Sequence, residues 1–173
     1  MTHIPFNRSA WIGNEFEYVH QTIENGHTSG NGPFSKKVED LISLEIGCSR
    51  TLLTTSCTHA LEMSALLLQL QPGDEVIVPS FTFVSTASAF MLHGAKPVFV
   101  DVQPDTLNIN PEQVAAAITP RTRAICLVHY GGVGAQMELI MPLATKHGLM
   151  IIEDNAHGLF GKYHGKFLGT FGS

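Results

Sequence analysis

The chemistry that this sequence can support centres on a carboxylate near its end. Asp154, and three residues later His157, follow the apolar run 150–152, which reads as a buried strand. Open α/β sheets bind ligands at the carboxyl ends of their strands, so Asp154 is a candidate ligand-binding residue. A carboxylate there can pair with a protonated ring nitrogen, although taken alone it can equally cap a helix. Glu153 is expected on the opposite face, because strand side chains alternate.

A second candidate lies at residues 54–59, which read Thr-Thr-Ser-Cys-Thr-His. Small hydroxyl residues here follow a predicted strand and precede a predicted helix. The start of a helix offers unpaired N–H groups and a partial positive charge, which suit a phosphate. An ordinary N-cap explains the same residues, since Ser and Thr are preferred capping residues. The pattern Gly-x-x-x-x-Gly-Lys is missing from the sequence, which argues against a nucleoside-triphosphate loop.

Aromatic residues mark the end of the next predicted strand. Phe81 and Phe83 follow Pro79, and one of them could stack on a planar ring or simply pack in the core. Residues 129–134 are rich in glycine but lack the spacing of a dinucleotide site, which disfavours a Rossmann dehydrogenase. Three candidate features thus follow one another at the ends of successive predicted strands. They are a helix start that suits a phosphate, an aromatic residue that could stack on a ring, and a carboxylate that could pair with a ring nitrogen. That combination is what a pyridoxal phosphate (PLP) site requires.

The predicted elements that must position these residues alternate between strands and helices. Two helices, at 14–24 and 35–46, come first and are separated by a glycine-rich loop. Strands are then predicted over 50–55, 75–78, 96–102, 123–129 and 149–153, and helices over 58–70, 82–93, 111–118 and 137–147. Such alternation is typical of βαβ units. The sequence therefore predicts an α/β fold: a three-layer α/β/α sandwich with a mainly parallel sheet.

Composition narrows the class of protein. The 173 residues carry a net charge of −5, so no broad attraction to nucleic acid is expected. The three cysteines are too few and too irregularly spaced for a disulfide framework or a zinc site, which favours a reducing, cytoplasmic location. The nine histidines lack metal-ligand spacing, so no metal is expected. The sequence contains neither an apolar run of membrane length nor a signal peptide, so no membrane partner is expected.

The sequence resembles the DegT/DnrJ/EryC1/StrS family of PLP-dependent sugar aminotransferases. The matching runs are residues 4–7 (IPFN), 72–77 (PGDEVI), 80–86 (SFTFVST), 94–102 (GAKPVFVDV), 118–125 (ITPRTRAI), 128–132 (VHYGG) and 152–157 (IEDNAH). The run 56–58 and the N-terminal run are most similar to the subgroup that forms dTDP-4-amino-4,6-dideoxygalactose. The resemblance implies the large domain of a fold-type I PLP enzyme. It also implies transfer of an amino group, with glutamate as the expected donor, to a 4-keto-6-deoxy sugar nucleotide in surface polysaccharide biosynthesis, such as that of lipopolysaccharide or enterobacterial common antigen.

The same resemblance implies roles for matching positions. Cys57, Thr58 and His59 would bind the cofactor phosphate, and Phe83 would stack on the pyridine ring. Asp154 would pair with the ring nitrogen, and His157 would contact the cofactor near its 3-hydroxyl. Thr28 and Gly30 lie in a loop that would approach the substrate and a dimer interface, so a homo-oligomer is expected.

The lysine that the family joins to PLP as a Schiff base is not matched by any lysine here. The family places it in a later segment, expected beyond Ser173, so no catalytic residue is assigned. We therefore expect residues 1–173 to be the N-terminal part of the PLP-binding large domain, without the C-terminal small domain and without aminotransferase activity. Alternatives are a non-catalytic module that binds the cofactor or sugar nucleotide or mediates dimerisation, and one half of a split enzyme.

Overall fold

The computed structural model describes residues 4–5 and 8–172, so the N-terminal run 4–7 and Ser173 lie partly or wholly outside it. The chain divides into two compact units, Met1–Leu53 and Thr54–Ser173. The first unit contains helices α1 (Glu15–Glu24) and α2 (Pro33–Ile46). Proline occupies the first turn of α2, and Gly47 ends it with a φ of 72°, a conformation that glycine adopts without strain. Both helices agree with the predicted ones to within two residues.

The second unit carries the alternating elements. In chain order they are α3 (Cys57–Leu67), β1 (Glu75–Pro79), α4 (Ser85–Met91), β2 (Lys96–Val100), α5 (Pro111–Ala117), β3 (Thr122–Val128), α6 (Met137–His147), β4 (Met150–Asp154), β5 (Lys162–Tyr163) and β6 (Lys166–Phe167). A short 3-10 turn, Tyr130–Gly132, follows β3. Phe81 and Phe83 follow β1, Tyr130 follows β3, and Asp154 ends β4.

The first four strands form one parallel sheet in the order β2-β1-β3-β4. The chain adds β2 on one side of β1 and later adds β3 and β4 on the other. A topological switch point therefore lies between β1 and β3, where open sheets bind ligands outside the carboxyl ends of the strands. Val128 of β3 pairs with Asp154 of β4, so the end of β4 lies level with the end of β3.

Apolar side chains cover both faces of this sheet. On one face, Ile77, Ile125 and Leu127 pack with α5 and α6. On the other face, Val76, Val78, Ala124 and Cys126 pack with α3 and α4. Strands buried on both faces are expected of a parallel sheet between two helical layers. The predicted three-layer α/β/α sandwich with a parallel sheet is confirmed for the second unit.

Two local predictions differ from the structure. The strand predicted over residues 50–55 was wrong, because this segment pairs with no other strand among the described residues. Its polar groups bond to α2 instead: the Leu53 N–H donates to Glu39 at 2.9 Å, and the Thr51 and Ser43 hydroxyls lie 2.8 Å apart. The antiparallel hairpin of β5 and β6 was not predicted, since each strand has only two residues. Among the described helices, none is both long and apolar enough to cross a membrane.

Candidate functional site

Asp154 is the buried carboxylate at the end of β4, with 6% of its surface exposed. Its Oδ2 accepts a hydrogen bond of 2.7 Å from the Thr86 hydroxyl, which itself accepts one of 2.8 Å from Thr82. Its Oδ1 accepts a longer bond of 3.3 Å from the Ala156 N–H. The carboxylate is therefore oriented through one oxygen by α4, while the other oxygen has capacity for a further donor.

The start of α3 lies beside this carboxylate. The Cys57 thiol donates a weak hydrogen bond to Asp154 Oδ1 at 3.6 Å. Ser56 caps the helix, and its hydroxyl oxygen accepts from the His59 N–H at 3.2 Å. The N–H groups of Cys57 and Thr58 belong to the first turn and have no acceptor within the helix. The structure thus brings together the two predicted elements, a phosphate-binding helix start and a ring-nitrogen carboxylate.

A cavity of about 280 Å³ lies between these groups, lined among others by Cys57, Ser64, Asp154 and Ala156. Burial, together with the charge and hydrogen bond of Asp154, raises the pKa of the Cys57 thiol to about 11. The thiol is therefore protonated at neutral pH and acts as a neutral donor towards the carboxylate. No lysine is among the residues that line this cavity.

The aromatic residues of the site lie at the switch point between β1 and β3. Phe83 is 72% exposed. Its ring therefore does not pack in the core, which was one of the two alternatives that the sequence left open. Phe81 contacts Tyr130 with ring centroids 4.7 Å apart, and Tyr130 meets His157 edge-on at 5.3 Å. The Gly131 N–H donates to His157 Nδ1 at 3.2 Å. The structure therefore joins His157 to the end of β3, whereas the Phe83 ring remains free.

Glu153 forms a second buried polar centre, which the sequence reasoning did not identify. It lies on the face of β4 opposite Asp154, and its Oε2 is 2.8 Å from Nε2 of the fully buried His129. Its two oxygens also accept the N–H groups of Gly169, Phe171 and Gly172 at 2.5–2.9 Å. Burial raises the pKa of Glu153, but these hydrogen bonds outweigh that effect and the pKa is lowered overall.

The sequence alternation correctly placed Glu153 away from Asp154. Its partners are 16 to 24 residues away in the sequence, so no local pattern could reveal them.

The remaining predicted positions are less connected. His59 is exposed, and its ring pairs with the Thr55 hydroxyl. Thr28 and Gly30 lie in the exposed loop between α1 and α2 of the first unit, where the Gly30 carbonyl accepts from the His27 ring at 3.2 Å. Their role towards a substrate or an interface stays a prediction. Within the part of the chain that the structure describes, no group of three metal-ligating side chains is found.

Comparison with known proteins gives a consistent result. A family model described as the DegT/DnrJ/EryC1/StrS aminotransferase family matches residues 11–173. The spore coat polysaccharide biosynthesis protein SpsC of Bacillus subtilis is 39% identical over 158 residues, which is 91% of this chain and 40% of that protein.

Solved structures show the same relationship. A putative sugar aminotransferase, Spr1654 from Streptococcus pneumoniae in its PMP form, superposes with a TM-score of 0.91 at 30% identity, over 99% of this chain and 47% of that one. GDP-4-keto-6-deoxymannose-3-dehydratase with a trapped PLP-glutamate geminal diamine superposes with a TM-score of 0.92 at 25% identity, over 98% of this chain and 45% of that one. The chain thus spans less than half the length of these relatives. Since the family model covers residues 11–173 and the fold agrees with that of the solved relatives, the chain belongs to the DegT/DnrJ/EryC1/StrS aminotransferase family.

Proposed function

We propose that this chain forms the cofactor site of a PLP-dependent sugar-nucleotide aminotransferase. The observation that carries the proposal is the buried Asp154 carboxylate, which shares a cavity with the start of α3. PLP, when bound, supplies an electron sink for the carbon that exchanges its amino group. The fit is chemical: Asp154 in the cavity wall is an anionic acceptor, and the start of α3, which contributes Cys57 to the same wall, carries N–H donors that suit a phosphate.

Asp154 acts on the ring nitrogen in this proposal. An ionised carboxylate favours the protonated form of a basic nitrogen next to it, because an opposite charge within a few ångströms stabilises the charged form. Thr86 holds the carboxylate in place through the 2.7 Å hydrogen bond. Asp154 would thereby hold the ring nitrogen in its protonated form, the form in which PLP withdraws electrons.

The start of α3 binds the phosphate in this proposal. The backbone N–H groups of Cys57 and Thr58 donate to the phosphate oxygens, and the helix dipole favours the negative charge. The protonated Cys57 thiol adds no negative charge of its own, which suits a site for an anion. The exposed ring of Phe83 provides the stacking surface for the pyridine.

We propose a 4-keto-6-deoxy sugar nucleotide as the substrate and glutamate as the amino donor, in surface polysaccharide biosynthesis. Two relatives support this choice by their names: one is a spore coat polysaccharide biosynthesis protein, and the other is a GDP-4-keto-6-deoxymannose dehydratase that trapped PLP with glutamate. We also propose a cytoplasmic homo-oligomer, with residues 1–173 as the N-terminal part of the PLP-binding large domain.

A non-catalytic binding module is the second candidate, and one observation favours it. No lysine lines the cavity that contains Asp154, so the residues that form its wall offer no amine for covalent attachment of PLP. We therefore propose that the 173-residue polypeptide alone binds PLP reversibly and does not transfer amino groups.

Borohydride reduction after PLP saturation, followed by intact mass, tests both proposals. Saturable absorbance without a mass increase is the expected result. A stoichiometric adduct on one lysine, or turnover with glutamate and a 4-keto sugar nucleotide, would contradict the reversible, inactive state. Absence of any saturable binding would contradict the cofactor site itself.

A further inference from the structure

Asn108 holds the turn that follows β3 through two hydrogen bonds, although it does not line the cavity that contains Asp154. The side chain is 2% exposed. Its Oδ1 accepts the Tyr130 N–H at 2.9 Å, and its Nδ2 donates to the Val133 carbonyl at 3.0 Å. One amide group thereby holds both ends of the turn 130–133. Because this amide is buried, losing either bond would leave a polar group of the turn without a partner.

The turn 130–133 also contacts His157. The Gly131 N–H donates to His157 Nδ1 at 3.2 Å, and the Tyr130 ring meets the imidazole edge-on at 5.3 Å. Gly132 lies so close that a Cβ on it would approach the His157 carbonyl oxygen to 3.1 Å. The turn therefore contacts both the ring and the backbone of His157, which is otherwise exposed.

The contact with Gly131 also selects the tautomer of the neutral ring. A backbone N–H can only donate, so Nδ1 must accept with a lone pair and carries no proton. In the neutral ring the proton then lies on Nε2, which becomes a donor. A hydroxyl or phenolate oxygen of a ligand would receive a hydrogen bond from Nε2, whereas the other tautomer would present only a lone pair there.

We infer that Asn108 is a positioning residue that fixes His157 as its Nε2–H tautomer through the turn 130–133. The role of His157 towards a cofactor rests on the proposed function, but the tautomer is a property of the protein without ligand. Asn108 contacts neither the cavity that contains Asp154 nor His157 directly, so its effect must pass through Tyr130 and Gly131.

Nitrogen-15 NMR of the histidine rings tests this inference in the wild-type protein and in Asn108→Ala. His157→Gln assigns the His157 signal. The matched control is Asn110→Ala, because Asn110 caps α5 and its loss removes two hydrogen bonds without touching the turn. We expect the wild-type signals of an Nε2–H ring, unchanged in Asn110→Ala. In Asn108→Ala the two ring nitrogens should shift towards each other as both tautomers become populated.

PLP titration provides a second measurement on the same proteins. Asn108→Ala should raise the Kd for PLP by about fivefold, the equivalent of one hydrogen bond of about 1 kcal/mol. Asn110→Ala should leave it unchanged. Asn108→Ser, which removes less of the side chain, provides the same comparison where Asn108→Ala does not fold.

The two proposals fail in different ways. A protonated Nδ1 in the wild-type protein, or an unchanged His157 tautomer in the Asn108 variants, would overturn the role of Asn108. A shifted tautomer in a protein that binds no PLP would support that role and contradict the proposed function.

Discussion

Replacing Glu153 with glutamine tests whether the buried polar centre around the Glu153 carboxylate stabilises the fold. The carboxylate accepts two donors on each oxygen: His129 and Gly169 on Oε2, and Phe171 and Gly172 on Oε1. The amide of glutamine has one acceptor oxygen, so either orientation places its NH₂ group against two donors.

The expected loss in the free energy of unfolding follows from the two donors that would no longer have an acceptor. Hydrogen bonds to a charged group contribute about 1.5–3 kcal/mol each, so we expect Glu153→Gln to lower the free energy of unfolding by about 3 kcal/mol or more. For a chain of this size, each kcal/mol lowers Tm by about 2–4 °C, which gives a decrease of about 6–12 °C. Calorimetry at pH 7 measures it.

Glu138→Gln is the matched control, since exposed Glu138 accepts one hydrogen bond, from Tyr163 at 2.8 Å. We expect a decrease in Tm of less than about 2 °C for this variant, in line with a single exposed hydrogen bond. Equal decreases in Tm for the two variants would refute the reasoning. They would show that the hydrogen bonds to buried Glu153 stabilise the fold no more than the single hydrogen bond to exposed Glu138.

The pH dependence supplies a second check on Glu153. Its pKa in the folded protein is lowered from the ordinary value of 4.5, so its contribution to stability is fully present above that pH. The contribution is lost as the pH falls through the folded-state pKa. The difference in unfolding free energy between the wild type and Glu153→Gln should therefore be constant near neutral pH and narrow below about pH 4.5. A difference that widens in acid would contradict the assigned ionisation.

Three further predictions concern Asp154 and the start of α3. Thr86→Val removes the donor to Asp154 and should raise the Kd for PLP about fivefold in a fluorescence titration; an unchanged Kd would contradict an orienting role. Cys57 is more exposed than Cys48, yet it should react with iodoacetamide more slowly at neutral pH, because partial burial of its thiol and the charge of Asp154 raise its pKa to about 11, while hydrogen bonding to a neighbouring hydroxyl lowers the pKa of Cys48. Peptide mass spectrometry measures both rates, and faster labelling of Cys57 would count against its contact with the carboxylate. Ser56→Ala should cost about 1 kcal/mol in urea unfolding as a lost helix cap, and no loss would show that the cap is not formed in solution.

The second unit was predictable because its signals are local. The strands around Ile77 and Ile125 are short apolar runs between predicted helices, and both the pattern and the order of elements follow from that alternation. Asp154 was predictable for the same reason, since the end of a buried strand is visible in the sequence.

The features that the sequence did not predict, or predicted wrongly, depend on partners that are distant in the sequence. Residues 50–55 have strand-like composition, but a strand forms only where a neighbour pairs with it, and α2 provides hydrogen bonds instead. Thr86 and Asn108 read as ordinary polar residues, and their partners lie 68 and 22 residues away in the sequence. The Glu153–His129 pair is hidden for the same reason, because only the parallel pairing of β3 and β4 brings the two residues together.

Equilibrium titration of the 173-residue protein with PLP, in the wild type and in Asp154→Asn, tests the central claim most directly. Asp105→Asn is the control, because it removes the same charge from an exposed position. We predict saturable binding by the wild type and by Asp105→Asn. In Asp154→Asn the Kd should rise by about tenfold or more, the equivalent of one charge-assisted hydrogen bond. Equal Kd values for all three proteins would show that Asp154 does not contact the cofactor and would contradict the account.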